Sequence, residues 1–203
     1  MKQTSVLILL LVMVLLIGGA WLLYENYEPG YRPDVLTPAT SDTTTAPTGD
    51  SAPAEDTTAP DAIQAPGFTV QDGDGNAVSL ADMIGKPVIV NLWASWCPPC
   101  KAEMPDFEAA YKEYGDTIHF MMINMTDGYQ ETVEKAKAFI ADTGYTFPVY
   151  FDTESEAAIA YTATSIPATY FIDREGNLVA GARGMLDADN LQRGIDMLLD
   201  TLS

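Results

Sequence analysis

The two cysteines of the chain, Cys97 and Cys100, are the residues best suited to carry out chemistry. They are separated by two prolines and follow residues 88–93, an apolar and β-branched run typical of a buried strand. Proline is accepted in the first turn of a helix, because N–H groups there have no helical partner. The spacing therefore predicts that Cys97 lies at a helix N-terminus, where free N–H groups and the helix dipole favour a thiolate. Cys100, one turn further along, can then attack a mixed disulfide formed on Cys97.

Two other roles for this cysteine pair are less consistent with the sequence. A structural zinc site requires four sulfur or nitrogen ligands, whereas the chain contains two cysteines and one histidine, His119. A purely structural disulfide that closes so short a loop stabilises a protein by only ~2 kcal/mol. That is a small gain for a chain long enough to form a hydrophobic core. Redox chemistry is therefore the favoured interpretation, with no metal and no cofactor.

The net charge limits the possible partners. The chain of 203 residues has a formal net charge of −19 at pH 7. Nucleic acids and anionic lipid surfaces both repel an acidic protein. The charge therefore argues against a nucleic-acid partner.

Residues 1–24 are predicted to form a signal anchor, that is, a transmembrane helix. The apolar part, residues 6–24, is about 28 Å long as a helix, and the hydrocarbon core of a bilayer is roughly 30 Å thick. Lys2 precedes this run and acidic residues follow it, which favours an N-terminus inside the cell. Gly18 and Ala20 leave open a cleaved signal peptide, and hence a secreted protein. In both cases the folded part lies outside the cytoplasm.

The rest of the chain divides into a linker and one domain. Residues 25–65 are rich in Pro, Thr, Ala, Ser and Asp, so they bury too little apolar surface to offset the entropy of ordering. We expect a disordered tether there. Residues 66–203 have the pattern of a folded domain.

Strands and helices alternate along this domain. The pattern predicts strands at 68–71, 77–79, 88–93, 118–125, 147–151, 168–172 and 177–181, and helices that end near 114, 142, 161 and 199. Thr153 and Glu156 predict a capping box for the third of these helices. This arrangement predicts an α/β domain with three layers around a central mixed sheet.

The pattern resembles the thioredoxin fold and, more narrowly, the TlpA/ResA-like group of membrane-anchored thiol–disulfide oxidoreductases. The resemblance extends from about residue 65 to residue 199. It rests on the run Trp96-Cys97-Pro98-Pro99-Cys100, on Pro105 inside the following helix, on Ile166-Pro167 before a strand and on the turn at 173–177. The N-terminal β-hairpin extension and the inserted helix between residues 126 and 144 also match this group.

The resemblance implies roles for several residues near the cysteines. Cys97 matches the attacking thiol and Cys100 the resolving thiol. Pro167 matches a cis-proline that faces the pair, which places the backbone of Ile166 where an extended substrate can bind. Trp96 and Pro98 then belong to the substrate-binding surface, together with Ile166 and Pro167.

Glu103 matches an acidic residue that ResA-like proteins place near the cysteine pair, where it can exchange a proton with Cys100. A solvent-exposed helix carboxylate is the alternative for Glu103. One departure from thioredoxin itself is Asn91, which stands where thioredoxin has a buried Asp, so that general base is absent.

The function implied is reduction of protein disulfides by thiol–disulfide exchange outside the cytoplasm. The resemblance implies regeneration by a membrane thiol reductant of the CcdA/DsbD type. Substrates of the group include apocytochrome c in cytochrome c maturation, spore-coat or envelope proteins and peptide methionine sulfoxide reductases. The sequence does not choose among them.

Two other functions remain as alternatives. A thiol peroxidase of the AhpC/TSA, peroxiredoxin-like kind usually has Thr or Ser three residues before its cysteine, where this chain has Ala94. A copper chaperone of the Sco kind resembles C-x-x-x-C with a distal histidine. This chain has the shorter spacing and no histidine after His119.

Overall fold

A computed structural model of the chain describes residues 37–38 and 62–202. Within these residues, eight strands form one sheet: β1 (Thr37–Pro38), β2 (Thr69–Gln71), β3 (Ala77–Ser79), β4 (Val88–Trp93), β5 (His119–Asn124), β6 (Val149–Phe151), β7 (Ala168–Ile172) and β8 (Leu178–Arg183). Their order across the sheet is β1-β8-β7-β4-β5-β6-β2-β3. Strand β4 is parallel to β5 and antiparallel to β7, so the sheet is mixed, as predicted.

In the part of the chain that the structure describes, four α-helices and one short 3₁₀ helix accompany the sheet. They are α1 (Pro98–Tyr114), α2 (Val133–Thr143), α3 (Glu156–Ala160) and α4 (Ala188–Asp200), with the 3₁₀ helix at Leu80–Met83. The inserted helix of the predicted group is α2, which begins at Val133 because the Thr132 side chain caps it. Gly144, with a φ of 72°, ends the same helix.

The three-layer arrangement follows from the alternation of side chains along β4. Ile89 and Trp93 point into a core shared with α1 and α4, and Val90 and Leu92 point into a second core on the other face. All six residues of β4 are buried. The apolar run that predicted this strand is thus explained by its place in the middle of the sheet.

The predicted linker, residues 25–65, differs from the structure at two places. Residues 37–38 form strand β1, which pairs with β8 at the edge of the sheet. Ala65 donates a backbone hydrogen bond to Gly176, and Ile63 accepts one from Leu178. Backbone pairing of this kind does not require apolar side chains, which is why composition alone missed it.

The remainder of the linker and the predicted anchor, residues 1–24, lie outside the described residues. No helix in the described part of the chain is long and apolar enough to cross a membrane.

The predicted capping box at Thr153 and Glu156 is wrong. The residue that precedes α3 is Ser155, and its side chain makes no capping hydrogen bond. Asp152 takes this role instead, because its carboxylate accepts hydrogen bonds from the backbone N–H groups of Ala157 and Ala158.

Helix α4 packs closely on β7, the strand that follows Pro167. A Cβ added at Gly194 would overlap the ring of Phe171. We expect Gly194→Ala to lower the free energy of unfolding, because overpacking costs about 1–3 kcal/mol and outweighs the roughly 1 kcal/mol that alanine gains over glycine in a helix. Urea denaturation measures this change. Gly67→Ala is the control, since nothing lies within 4 Å of its added Cβ, and equal stability of both variants would contradict the packing argument.

Candidate active site

The cysteine pair lies where β4 ends and α1 begins. Cys97 is the N-cap residue of α1, and its Sγ accepts a hydrogen bond from the backbone N–H of Cys100 at 3.2 Å. The two cysteines form a disulfide, with their Cα atoms 5.3 Å apart. Cys97 exposes 2% of its surface and Cys100 none. The sulfur of Cys97 is therefore the one that a second disulfide can approach.

The peptide bond between Ile166 and Pro167 is cis, as the resemblance implied. The carbonyl oxygen of Ile166 lies 3.8 Å from Sγ of Cys97. The carbonyl of the buried Pro167 accepts a hydrogen bond from the N–H of Gly184. The loop before β7 is thus held directly against the disulfide.

A cleft of about 380 Å³ opens between Trp96, which directly precedes Cys97, and Ile166, whose carbonyl faces Sγ of Cys97. It is lined by apolar and small polar side chains together with two aspartates: Trp96, Met125, Thr126, Asp127, Asp152, Ser155, Ala163, Thr164, Ser165 and Ile166. Trp96 exposes 46% of its surface there, and Pro98 is exposed at the start of α1. The cleft therefore has room for a peptide segment next to Cys97.

Glu103 is buried, which excludes the solvent-exposed alternative. It lies one turn after Cys100 on α1 and exposes 1% of its surface. Its carboxylate accepts hydrogen bonds of 2.8 Å from the side chain of Asn91 and from the backbone N–H of Leu186. Burial raises the pKa of Glu103 to about 8, against the opposing effect of these two hydrogen bonds, and the charge of Asp106 adds to the increase. Near neutral pH this group can both give and accept a proton.

Asn91 supports Glu103 from the middle of β4. Its Nδ2 donates to Glu103 and to the hydroxyl of Thr169, while its Oδ1 accepts no hydrogen bond from the described residues. Rotating the amide by 180° would turn that oxygen toward a protonated Glu103. The amide can therefore serve either protonation state of the neighbouring carboxyl.

Glu131 is a buried carboxylate that the sequence did not single out. It is fully buried and accepts three hydrogen bonds: from the N–H of Ser95 at 2.8 Å, from the hydroxyl of Ser95 at 2.7 Å and from Nδ2 of Asn124 at 2.7 Å. Ser95 belongs to the turn that leads into Trp96 and Cys97. The carboxylate thus joins this turn to the end of β5.

His119 does not belong to the site. It lies at the start of β5, opposite Val88 at the start of β4, whereas Cys97 follows the other end of β4. Trp93 is fully buried in the core. The structure brings together the sequence-predicted Cys97, Cys100 and Pro167.

These features define a class of protein. The sheet, the cis-proline loop and the disulfide at a helix N-terminus form a thioredoxin-like fold with a redox-capable cysteine pair. The family model described as AhpC/TSA family matches residues 62–180, and the chain belongs to this family. The family description alone does not separate peroxidases from disulfide oxidoreductases.

Individual relatives are more specific. The chain is 33% identical to the thioredoxin-like protein YneN of Bacillus subtilis over 66% of its own length and 78% of that protein. It is 36% identical to the thiol-disulfide oxidoreductase ResA of Oceanobacillus iheyensis over 60% of its length and 62% of that protein. The crystal structure of the exposed lipoprotein thioredoxin Etrx1 of Streptococcus pneumoniae matches with a TM-score of 0.55 and 31% identity over 65% of this chain and 99% of that one. The predicted class, a thiol–disulfide oxidoreductase of the thioredoxin fold, is confirmed.

The raised pKa of Glu103 predicts a pH-dependent stability. Between its ordinary pKa of 4.5 and the folded value of about 8, the folded protein holds a proton that the unfolded chain has released. The free energy of unfolding should therefore fall as the pH rises from 5 to 8, by up to about 1.4 kcal/mol per pH unit. Urea titrations of wild type and Glu103→Gln at each pH isolate this contribution, because other groups titrate in both proteins. Parallel pH profiles of the free energy of unfolding for the two proteins would contradict the raised pKa of Glu103.

Proposed function

We propose that this protein reduces disulfides in other proteins outside the cytoplasm, with Cys97 as the attacking thiol and Cys100 as the resolving thiol. The observation that carries the proposal is the asymmetry of the pair. Sγ of Cys97 caps α1 and lies beside the cleft and the Ile166 carbonyl, whereas Cys100 has no exposed surface. A client disulfide can reach one sulfur, and the second sulfur is kept for the intramolecular step.

The exchange proceeds in two balanced steps. The thiolate of Cys97 attacks one sulfur of the client disulfide, which forms a mixed disulfide and releases the other client sulfur as a thiolate that takes up a proton. Cys100 then loses its proton and attacks Sγ of Cys97, which releases the second client thiol. The client gains two electrons and two protons, and the enzyme is left with the Cys97–Cys100 disulfide.

Glu103 is proposed to accept and return the proton of Cys100. The two residues lie one turn apart on α1 and are both buried, so no bulk water contacts either side chain. The pKa of about 8 keeps both protonation states of Glu103 accessible near neutral pH. Asn91 and the Leu186 N–H hold the carboxyl in place.

The client segment is proposed to bind in an extended form across Ile166 and Pro167. An extended segment can pair with the backbone of Ile166, while its side chains enter the cleft between Trp96 and the Ile166 loop. Trp96 and Pro98, both exposed, would form the other contact surface.

Reduction rather than oxidation is favoured by the surroundings of the cysteines. A strong oxidant of this fold owes its potential to a strongly stabilised thiolate in the reduced form. Here an ionised Cys100 and an ionised Glu103 would place two negative charges in one apolar region, which disfavours the thiolate of Cys100. Regeneration would then require a donor of electrons, and we propose a membrane thiol reductant of the CcdA/DsbD type.

An extracytoplasmic location is supported by two observations. The apolar run at residues 6–24 predicts a single-pass membrane anchor, or a signal peptide that is removed. The structurally similar Etrx1 is described as an exposed lipoprotein. Residues 1–24 would thus hold the catalytic domain at the outer surface of the cell membrane.

Trapping tests the proposed roles of the two cysteines. In the Cys100→Ser variant the first step remains possible but the second does not, so a client should stay bound to Cys97 through a mixed disulfide. We expect the native host to accumulate this adduct, which mass spectrometry after non-reducing electrophoresis would identify. Reductase activity of the variant should fall to background.

Two controls make this experiment decisive. The Cys97→Ser variant keeps the buried cysteine and should trap nothing, so adducts on Cys100 would overturn the assignment of the two thiols. The Cys100→Ser protein is also given hydrogen peroxide. Peroxide consumption at a peroxiredoxin-like rate would favour the peroxidase alternative, which the AhpC/TSA family match keeps open and the buried Ala94 argues against.

A further inference from the structure

The buried carboxylate of Glu131 accepts a set of hydrogen bonds that thiol–disulfide exchange itself does not explain. It lies between the turn that presents Cys97 and the end of β5, and it accepts the N–H and the hydroxyl of Ser95 as well as the amide of Asn124. Hydrogen bonds to a charged acceptor are about twice as strong as those between neutral groups. A carboxylate with no exposure to solvent persists only when it is bonded in this way.

Hydrogen bonds of its own backbone fix the position of Glu131. Its N–H donates to Asp127 at 2.9 Å, and its carbonyl accepts from the N–H of Gly128 at 3.0 Å. It also directly precedes Thr132, the N-cap of α2, where the helix dipole favours a negative charge. Glu131 is therefore held in place by contacts that do not involve Ser95 or the turn that contains it.

The same loop forms part of the cleft. Thr126 and Asp127 line the cleft from one side and Trp96, the residue after Ser95, lines it from the other. The hydroxyl of Thr126 donates to Oδ1 of Asn124, whose amide donates to Glu131. One carboxylate thus connects both walls of the cleft beside the disulfide.

The restraint matters most when the disulfide is open. In the oxidised protein a covalent bond holds Cys97 to Cys100. Once that bond is reduced, the turn keeps the hydrogen bond from Cys97 N–H to the carbonyl of Ala94, at 3.2 Å, and the contacts of Ser95 with Glu131. We propose that Glu131 is a positioning residue, which holds the Ser95–Cys97 turn so that the reduced Cys97 sulfur stays in the orientation from which it attacks. This inference rests on the proposed role of Cys97 as the attacking thiol.

The chain contains a matched control for this role. Glu108 on α1 is also a buried carboxylate, and it accepts the N–H and the hydroxyl of Thr146, each at 2.8 Å, as Glu131 does from Ser95. Its contacts hold the loop before β6, away from the cysteines. Removing either carboxylate should therefore lower the stability of the protein, but only the loss of Glu131 should change the reaction rate of Cys97.

The test measures the rate at which Cys97 reacts with the small disulfide dithionitrobenzoate, in the full-length chain carrying Cys100→Ser. We expect Glu131→Ala to slow this reaction about tenfold. Glu131→Gln should react within about twofold of the parent, because its amide can keep all three contacts when the Ser95 hydroxyl turns to accept. Glu108→Ala should also stay within about twofold.

The pH profile of the same reaction separates positioning from charge. A positioning role leaves the midpoint of the profile unchanged in Glu131→Gln, whereas removal of a charge that acts on Cys97 would lower it. A lowered midpoint would therefore overturn the inference, as would a Glu108→Ala variant slowed as much as Glu131→Ala.

A milder pair of variants covers the case in which Glu131→Ala does not fold. Ser95→Ala removes one contact to Glu131 and should slow the reaction about two- to threefold, while Thr146→Ala removes the equivalent contact to Glu108 and should not. Equal rates for these two variants would overturn the inference. If the parent protein itself fails to react, the proposed function fails; if it reacts but the variants do not differ, only the role of Glu131 fails.

Discussion

The sulfur of Cys97 occupies the position that an N-cap oxygen fills in most helices. It accepts the N–H of Cys100 and lies at the N-terminus of a helix whose first two residues are prolines. This single placement gives the sulfur a hydrogen-bond donor and the positive end of a helix dipole, both of which favour a thiolate. It also sets the separation at which the two cysteines can bond. Strand β4 leads to this sulfur, the Pro167 loop lies opposite it and the cleft lies beside it. Each of these features contributes to function because of where the Cys97 sulfur is placed.

The buried carboxyl group of Glu103 balances that preference. Glu103 lies one turn beyond the pair and exposes 1% of its surface. A carboxylate in an apolar interior disfavours a further negative charge nearby. The site therefore combines a capped sulfur that can ionise with surroundings that limit how stable the ion becomes. This combination suits a dithiol that donates electrons more than one that accepts them.

Some of this arrangement was predictable because it is local in sequence. The prolines after Cys97 and the apolar run before it predicted the junction between β4 and α1. The Ile166-Pro167 pair before a strand matched the cis-proline of the family that the sequence resembles. The burial of Glu103 was not predictable in the same way. Its partners are Asn91, in the middle of strand β4, and Leu186, which lies 83 positions away.

The burial of Glu131 was even less predictable from the sequence than that of Glu103. A glutamate just before a helix is usually solvated, and nothing in its neighbours distinguishes it. Only the parallel pairing of β4 with β5, which sets Trp93 beside Asn124, brings Ser95 and Asn124 to the same point. The pairing of residues 37–38 with β8 was missed for a related reason, since it depends on the backbone of an edge strand rather than on side-chain type.

A redox titration of the cysteine pair tests the central claim most directly. The full-length protein is equilibrated with glutathione or dithiothreitol buffers of known potential, and the fraction of free thiol is measured by alkylation and mass spectrometry. A reducing thiol–disulfide oxidoreductase should show one two-electron transition at a potential below about −200 mV, in the range of glutaredoxins and thioredoxin. A midpoint near −120 mV, where strongly oxidising proteins of this fold lie, or a pair that does not reduce at all, would contradict the account.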